Sequence, residues 1–199
     1  MATSITSARG PVRLLGCVLL SMVLTACWGG ASREEPKMDM QQAGERAEEI
    51  LDGTLAAIRP PVGWSYGNPS DTACSTGLNE PTGTTTVFRS RKITTVVSGQ
   101  RRDELLKQVR EYWEQRGTRD VTVDSGEAMP RIRARTADGF AVILQVGSIG
   151  NVFIEAGISC AEDSEMTYPR DTPGVPGSSV KTDGIPRKYS AHWSETAPH

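Results

Sequence analysis

The residues with the clearest chemical potential are arginines that alternate along predicted strands. Arg131, Arg133 and Arg135 occupy every second position of "RIRAR", and Arg89 and Arg91 repeat this spacing earlier in the chain. Successive side chains of a strand point to opposite faces of a sheet, so each set projects from one face. Guanidinium groups bind phosphates and carboxylates through paired N–H donors. If the two strands are neighbours, one sheet face carries a row of arginines suited to an anionic ligand.

A structural explanation of these arginines stays open beside the functional one. Charge keeps a solvated sheet face soluble and protects a strand from pairing with other chains. Against this, like charges placed directly opposite each other on neighbouring strands lower stability. The functional interpretation allows an anionic lipid headgroup, a polymer of the teichoic type or an acidic protein as the partner.

Catalytic and metal-binding motifs are missing from the segment that we expect to fold. This segment contains no histidine, because His192 and His199 lie near the C-terminus. Ser-His-Asp catalysis, Cys-His catalysis and histidine-ligated zinc are therefore excluded there. We predict no enzyme activity, no metal site and no cofactor. A carboxylate-based hydrolase is an open alternative that needs two facing acids among Asp124, Glu127 and Glu155.

The first 26 residues have the features of an export signal. Arg9 and Arg13 precede an apolar stretch over residues 14–26, and no acidic residue occurs before Glu34. That stretch is shorter than the roughly 20 residues of a membrane-spanning helix. A short apolar segment behind positive charge is typical of a signal peptide, and a buried core helix is the alternative.

The apolar stretch ends in the residues Leu24-Thr25-Ala26, which Cys27 follows directly. These four residues resemble the lipobox of bacterial lipoproteins. The resemblance implies cleavage between Ala26 and Cys27 and a diacylglyceryl group on the Cys27 sulfur, with two acyl chains that give stable anchoring. A secretory cleavage site followed by an unmodified cysteine is the alternative. Taken with the composition, the motif looks like the small exported lipoproteins of actinobacteria, which implies an extracytoplasmic anchored domain and no assigned activity.

Cys74 and Cys160 are the two cysteines outside the signal segment and the lipobox. In an oxidising compartment such a pair predicts a disulfide. The bond would close a loop of 86 residues. In the chain-entropy description, closing such a loop stabilises the fold by roughly 4–5 kcal/mol. A metal or redox pair is the weaker interpretation, because the cysteines lack C-x-x-C spacing.

Hydrophobic periodicity predicts a single α+β domain over residues 38–160. Asp39 and Gln42 have the spacing of a capping box at the start of a helix that ends before Pro60. After a loop, the pattern predicts a strand over 84–98, a helix over about 101–116 and a strand over 119–124. Residues 131–160 predict three antiparallel strands, the first two joined by a turn at Asp138-Gly139. The order α-β-α-β-β-β(-β) predicts two layers, with an antiparallel sheet of about four to five strands and two helices on one face.

The segments on either side of the domain lack periodicity. Residues 27–37 predict a flexible tether, and the Pro- and Gly-rich residues 161–199 predict a disordered tail in which Tyr189 and Trp193 can anchor a partner. The formal net charge of −2 argues against nucleic-acid binding.

The leading hypothesis is a monomeric, non-enzymatic binding module, held by lipid at the outer face of the cell membrane, with an anionic envelope ligand on its arginines. The alternative is a structural or assembly-accessory lipoprotein that contacts another envelope protein through its tail.

Overall fold

The computed structural model describes residues 38–126, 129–147, 150–181 and 185–195. The predicted signal peptide, the lipidation site at Cys27 and the tether over 27–37 lie outside these ranges. Within the described ranges, no helix is long and apolar enough to cross a membrane.

Two helices form one layer of the domain. Helix α1 spans Met40–Ala57, and its predicted capping box is present: the Gln42 amide donates to Asp39 Oδ1 at 2.8 Å and the Asp39 amide donates to Gln42 Oε1 at 3.2 Å. Helix α2 spans Arg102–Gln115 after a single 3₁₀ turn, Gly99–Arg101. The indole Nε1 of Trp113 donates to Thr54 Oγ1 at 3.0 Å, which joins the two helices through a buried hydrogen bond.

Seven antiparallel strands form the second layer, in the order β1-β3-β7-β6-β5-β4, with β2 also paired to β3. Their bounds are β1 Trp64–Tyr66, β2 Ser70–Ser75, β3 Pro81–Ile93, β4 Arg119–Asp124, β5 Arg131–Arg135, β6 Ala141–Val146 and β7 Val152–Glu162. The α+β class and the antiparallel sheet are confirmed. The predicted count of four to five strands is too low.

The two additional strands lie where the sequence predicts a loop. Both pair with the same long strand. Strand β1 lies opposite residues 91–93 at one end of β3, and β2 lies opposite residues 81–88, which reach the other end. The thirteen residues of β3 supply the partners of both segments. The conformation of β1 and β2 therefore depends on β3 and not on a periodic pattern of their own.

A single apolar core lies between the sheet and both helices. Helix α1 contributes Ala47, Leu51 and Leu55, and helix α2 contributes Leu105 and Val109. The sheet contributes one face of its central strands, namely Val87, Ile93, Ile132, Ala134, Val142, Leu144, Val152, Ile154 and Ala156. Both helices thus cover the same face, as predicted, and no helix of the described residues lies on the other sheet face.

The C-terminal segment corrects the prediction of a disordered tail after residue 160. Trp193 is 0% exposed, and its Nε1 donates to the Pro60 carbonyl at 2.7 Å. The Val96 amide donates to the Lys188 carbonyl at 2.9 Å and the Ser98 amide to the Trp193 carbonyl at 2.8 Å. Backbone groups that follow β3 would otherwise lack partners, and the tail supplies them.

The domain therefore extends beyond the predicted boundary at residue 160. Trp193 fills the domain's own core and is not free to anchor a partner. Tyr189 is 75% exposed.

Cys74 and Cys160 form the predicted disulfide. Their Cα atoms are 5.9 Å apart, within the usual range for a bridged pair. The bond joins β2 to the C-terminal end of β7.

Candidate anion-binding face

The arginines of β5 project from the sheet face opposite the one that α1 and α2 cover. Ile132 and Ala134 alternate with them and are buried under the helices. Arg133 and Arg135 are exposed, and Arg131 is half-buried. We call the three cross-strand rows of residues that contain Arg131, Arg133 and Arg135 the open face.

Only one of the three β5 arginines has a carboxylate partner among the described residues. Arg131 Nη2 lies 3.0 Å from Asp124 Oδ2 on the neighbouring strand. Arg135 Nη1 donates to the Gly139 carbonyl at 3.1 Å, which leaves its positive charge uncompensated. Arg133 stands opposite Thr122 and Ile143 and forms no ion pair within the described ranges.

A fourth arginine, which the sequence patterns did not identify, belongs to the same face. Arg119 on β4 stands opposite Arg135, and its Nη2 donates to the Ala137 carbonyl at 3.1 Å. The strand pairing shifts between Arg119 and Thr122, and Asp120 between them has a φ of 55°. Simple alternation along β4 therefore does not place Arg119. Its position follows only from the pairing with β5.

The open face carries more basic than acidic residues. Its rows contain the basic side chains of Arg119, Arg131, Arg133, Arg135 and, on β3, Lys92. The same rows contain two acids, Asp124 and Glu155. The whole chain has a formal net charge of −2, so positive charge is concentrated on this face. Such segregation creates a local positive potential that attracts anions.

The prediction that Arg89 and Arg91 join the β5 arginines is wrong. Strands β7 and β6 separate β3 from β5. Arg89 is paired across the sheet with Ala156 and Arg91 with Ile154, whose side chains face the helices. Arg89 and Arg91 therefore lie on the covered face. They are 2% and 1% exposed, respectively.

Beneath α1, three carboxylates neutralise the two buried guanidiniums. Arg91 Nη2 forms ion pairs with Glu48 and with Asp52 Oδ1, the latter at 2.8 Å. Arg89 Nη1 lies 3.0 Å from Asp71 Oδ1, and Arg89 Nε lies 3.9 Å from Glu48 Oε1. With three acids around two bases, this cluster has no free positive charge for an anionic ligand.

Aromatic rings complete the enclosure of the buried arginines. The Arg91 guanidinium lies 4.9 Å from the Trp64 ring centre and 4.3 Å from that of Tyr66, and the Arg89 guanidinium lies 4.9 Å from that of Tyr168. Burial, together with the neighbouring Asp71 carboxylate, raises the pKa of Tyr168 above 10. Its hydroxyl stays protonated and donates to Asp71 Oδ2 at 3.0 Å. The cluster joins α1, β3 and the C-terminal segment as a structural unit.

Asp124 and Glu155, two of the acids named for a carboxylate-based hydrolase, do not form the pair that a glycosidase-type site needs. Asp124 lies on β4 and Glu155 on β7, three strand spacings apart, which corresponds to more than about 14 Å. Catalytic carboxylate pairs lie roughly 5–9.5 Å apart. Glu127 falls outside the described residues. Among those that are described, no group of His, Cys, Asp and Glu side chains is arranged to hold a metal ion.

Comparison with known proteins gives a distant structural similarity. No protein-family profile matches the chain, and no curated protein matches its sequence. Among solved structures, the chain is similar to the crystal structure of a DUF4853 family protein from Actinomyces odontolyticus, with 15% sequence identity and a TM-score of 0.41. The similarity covers 71% of this chain and 77% of that chain.

Proposed function

We propose that this chain is a lipoprotein anchored through Cys27 to the outer face of the cell membrane, and that its domain binds an anionic envelope ligand. The observation that supports binding is the pair of arginines directly opposite each other on the open face, Arg119 and Arg135. Like charges in this position lower stability. A face that only had to stay soluble would alternate basic and acidic residues and avoid this repulsion.

The geometry of β5 favours an extended anionic polymer as the ligand. Alternate residues of a strand lie about 6.8 Å apart, so the three β5 guanidiniums span about 14 Å along one line. Successive phosphate groups of a polymer lying along β5 can each contact one of them. Arginine provides paired N–H donors to such groups, and the exposed position keeps the interaction sensitive to salt.

The binding proposal is tested with polyglycerol phosphate, an anionic polymer of the teichoic type, and with uncharged dextran as the neutral comparison. The full chain is held in phosphatidylcholine nanodiscs, and binding is measured by calorimetry against protein-free nanodiscs. The variant Arg133→Ser/Arg135→Ser leaves the Arg131–Asp124 ion pair in place. We expect this variant to bind the polymer at least tenfold more weakly, and dextran not to bind.

The matched control is Lys107→Ser/Arg110→Ser, which removes the same charge from exposed positions of α2. We expect the control to bind the polymer as the unmodified chain does. An equal loss of polymer affinity in both variants would show that binding responds to net charge alone. Unchanged binding in the β5 variant would refute a role of the open face.

The anchoring proposal is tested separately by mass spectrometry of protein extracted from cell membranes. We expect an N-terminus at Cys27 that carries acyl chains. A chain that retains residue 1, or an unmodified Cys27 sulfur in a cytosolic fraction, would refute anchoring without affecting the polymer measurement.

A further inference from the structure

A second feature of the domain lies on the helix side, away from the open face. A half-open cavity of about 450 Å³ lies between the middle of α1, the C-terminal end of α2 and the loop between β5 and β6. Its volume falls in the range of about 300–1,000 Å³ that is usual for small-molecule sites.

The inner wall of the cavity is apolar. It is formed by Ile50 of α1, Tyr112 and Trp113 of α2, and Val142 of β6. Gly53 also lines the cavity, and a Cβ atom at this position would collide with the Tyr112 hydroxyl. The glycine therefore allows the Tyr112 side chain to lie close against α1 and to form part of the wall.

Two arginines at the cavity differ in how their charge is compensated. Arg46 Nε lies 2.8 Å from Asp138 Oδ2 and Arg46 Nη1 lies 3.0 Å from Glu49 Oε2, so its positive charge is neutralised. Arg116 has no carboxylate partner among the described residues. Its guanidinium lies 5.4 Å from the ring centre of Tyr112. The cavity lining thus holds two arginines and two acids. Both acids pair with Arg46, so Arg116 is the basic group beside the apolar wall that forms no ion pair within the described ranges.

We propose that this cavity binds a small amphipathic molecule with one anionic group, such as an aryl or alkyl carboxylate. The apolar part of the molecule packs against Ile50, Trp113 and Val142, and the anionic group accepts hydrogen bonds from Arg116. The inference does not depend on the open face, because the two sites share no residue.

The test compares two probes that share a phenylbutyl skeleton, the anion phenylbutyrate and the neutral alcohol phenylbutanol. The full chain is held in phosphatidylcholine nanodiscs, and protein-free nanodiscs provide the blank for calorimetric titration. We expect phenylbutyrate to bind at least tenfold more tightly than phenylbutanol, because a hydrogen bond to an ionised group is stronger than one between neutral groups. Equal binding of the two probes, or no binding of either, would refute the proposal.

Two variants locate the bound probe. Arg116→Gln should weaken phenylbutyrate binding about tenfold and leave phenylbutanol binding unchanged. The control Arg110→Gln, at a position earlier in α2 that is paired with Glu114, should change neither. Ala137→Trp places a large ring at the cavity rim from an exposed loop position, and should abolish binding of both probes. If Ala137→Trp folds normally and still binds phenylbutyrate, the cavity is not the site.

Discussion

The arginines of β3 and those of β5 have the same spacing in the sequence and opposite positions in the molecule. Arg89 and Arg91 are buried beneath α1 and neutralised by acids. Arg133 and Arg135 are exposed and have no carboxylate partner among the described residues. Alternation shows that two residues share a face of a strand. It does not show which face that is.

The apolar residues in step with the arginines decide the face. On β3, Val87 and Ile93 fall at the same alternate positions as Arg89 and Arg91, so all four side chains face the core. On β5, Ile132 and Ala134 fall between the arginines, so the arginines face solvent. Val87 and Ile93 therefore indicate, from the sequence alone, that Arg89 and Arg91 are buried.

The largest difference between the two sets is expected in stability. Arg91→Leu leaves Glu48 and Asp52 without their shared partner and should lower the free energy of unfolding by about 3–5 kcal/mol. The matched change Arg133→Leu on the open face should alter it by less than about 0.5 kcal/mol. Urea denaturation of the oxidised full chain measures both. Similar losses in the two variants would contradict the contrast.

A double substitution tests whether charge pairing or packing accounts for the contribution of Arg91 to the free energy of unfolding. If unpaired charge is the cause, Glu48→Leu and Arg91→Met together should lower the free energy of unfolding by about 1–3 kcal/mol less than the sum of the two single changes. Arg89 keeps its ion pair with Asp71 in the double variant. Strictly additive losses, measured by the same denaturation experiment, would instead assign the effect to packing.

In exposure to solvent, the Arg46–Asp138 ion pair is intermediate between the buried arginines of β3 and the exposed arginines of β5, since the Asp138 side chain is 37% exposed. Burial alone would raise the pKa of Asp138, but hydrogen bonds with Thr136 and Arg46 outweigh it and lower the pKa below the ordinary 3.8. A carboxyl whose pKa is lower in the folded state stabilises the fold above its unfolded pKa. That stabilisation is lost as the pH falls through the folded-state pKa.

Asp138→Asn removes this titration and retains an Asn-Gly sequence suited to the turn. Stability of the unmodified chain should therefore fall more steeply than that of the variant between about pH 5 and pH 2. At neutral pH the two should differ by less than about 1 kcal/mol, because solvent screens an exposed pair. Parallel stability profiles across this pH range would show that the pair contributes nothing.

The smallest expected effect has the opposite sign. Arg135→Thr removes the repulsion from Arg119 and introduces a residue that favours strands, so the free energy of unfolding should rise by no more than about 0.5 kcal/mol. Arg133→Thr is the control, because Arg133 stands opposite Thr122. A rise for Arg135→Thr that is accompanied by weaker polymer binding would indicate that the repulsion is retained for binding. A loss of stability would show that the Arg135 hydrogen bond to Gly139 matters more.

The elements that follow from local pattern were predictable from the sequence. The capping box of α1, the apolar stripe of α2 and the three strands of residues 131–160 lie close to their predicted positions. The turn at Asp138-Gly139 is wider than a two-residue hairpin, because Arg135 pairs with Ala141. The Thr136 hydroxyl accepts a hydrogen bond from the Phe140 amide inside this loop at 2.9 Å, and this local contact competes with the tighter turn.

The elements that depend on distant partners were not predictable. Strands β1 and β2 form their backbone hydrogen bonds with β3. The pairing of Arg119 with Arg135 depends on an irregularity in β4. Burial of Trp193 depends on the Pro60 carbonyl, far away in the sequence. The Pro- and Gly-rich composition around it indicates only that no regular helix or strand forms there.

The position of Trp193 has a consequence for how the domain comes apart. Its indole fills the interior beside Pro60, and the segment around it supplies the hydrogen-bond partners of the Val96 and Ser98 amides. Detachment of this segment would expose one end of the core and leave both amides without partners. The C-terminal segment is thus part of the cooperative unit, and its release should coincide with the loss of the sheet.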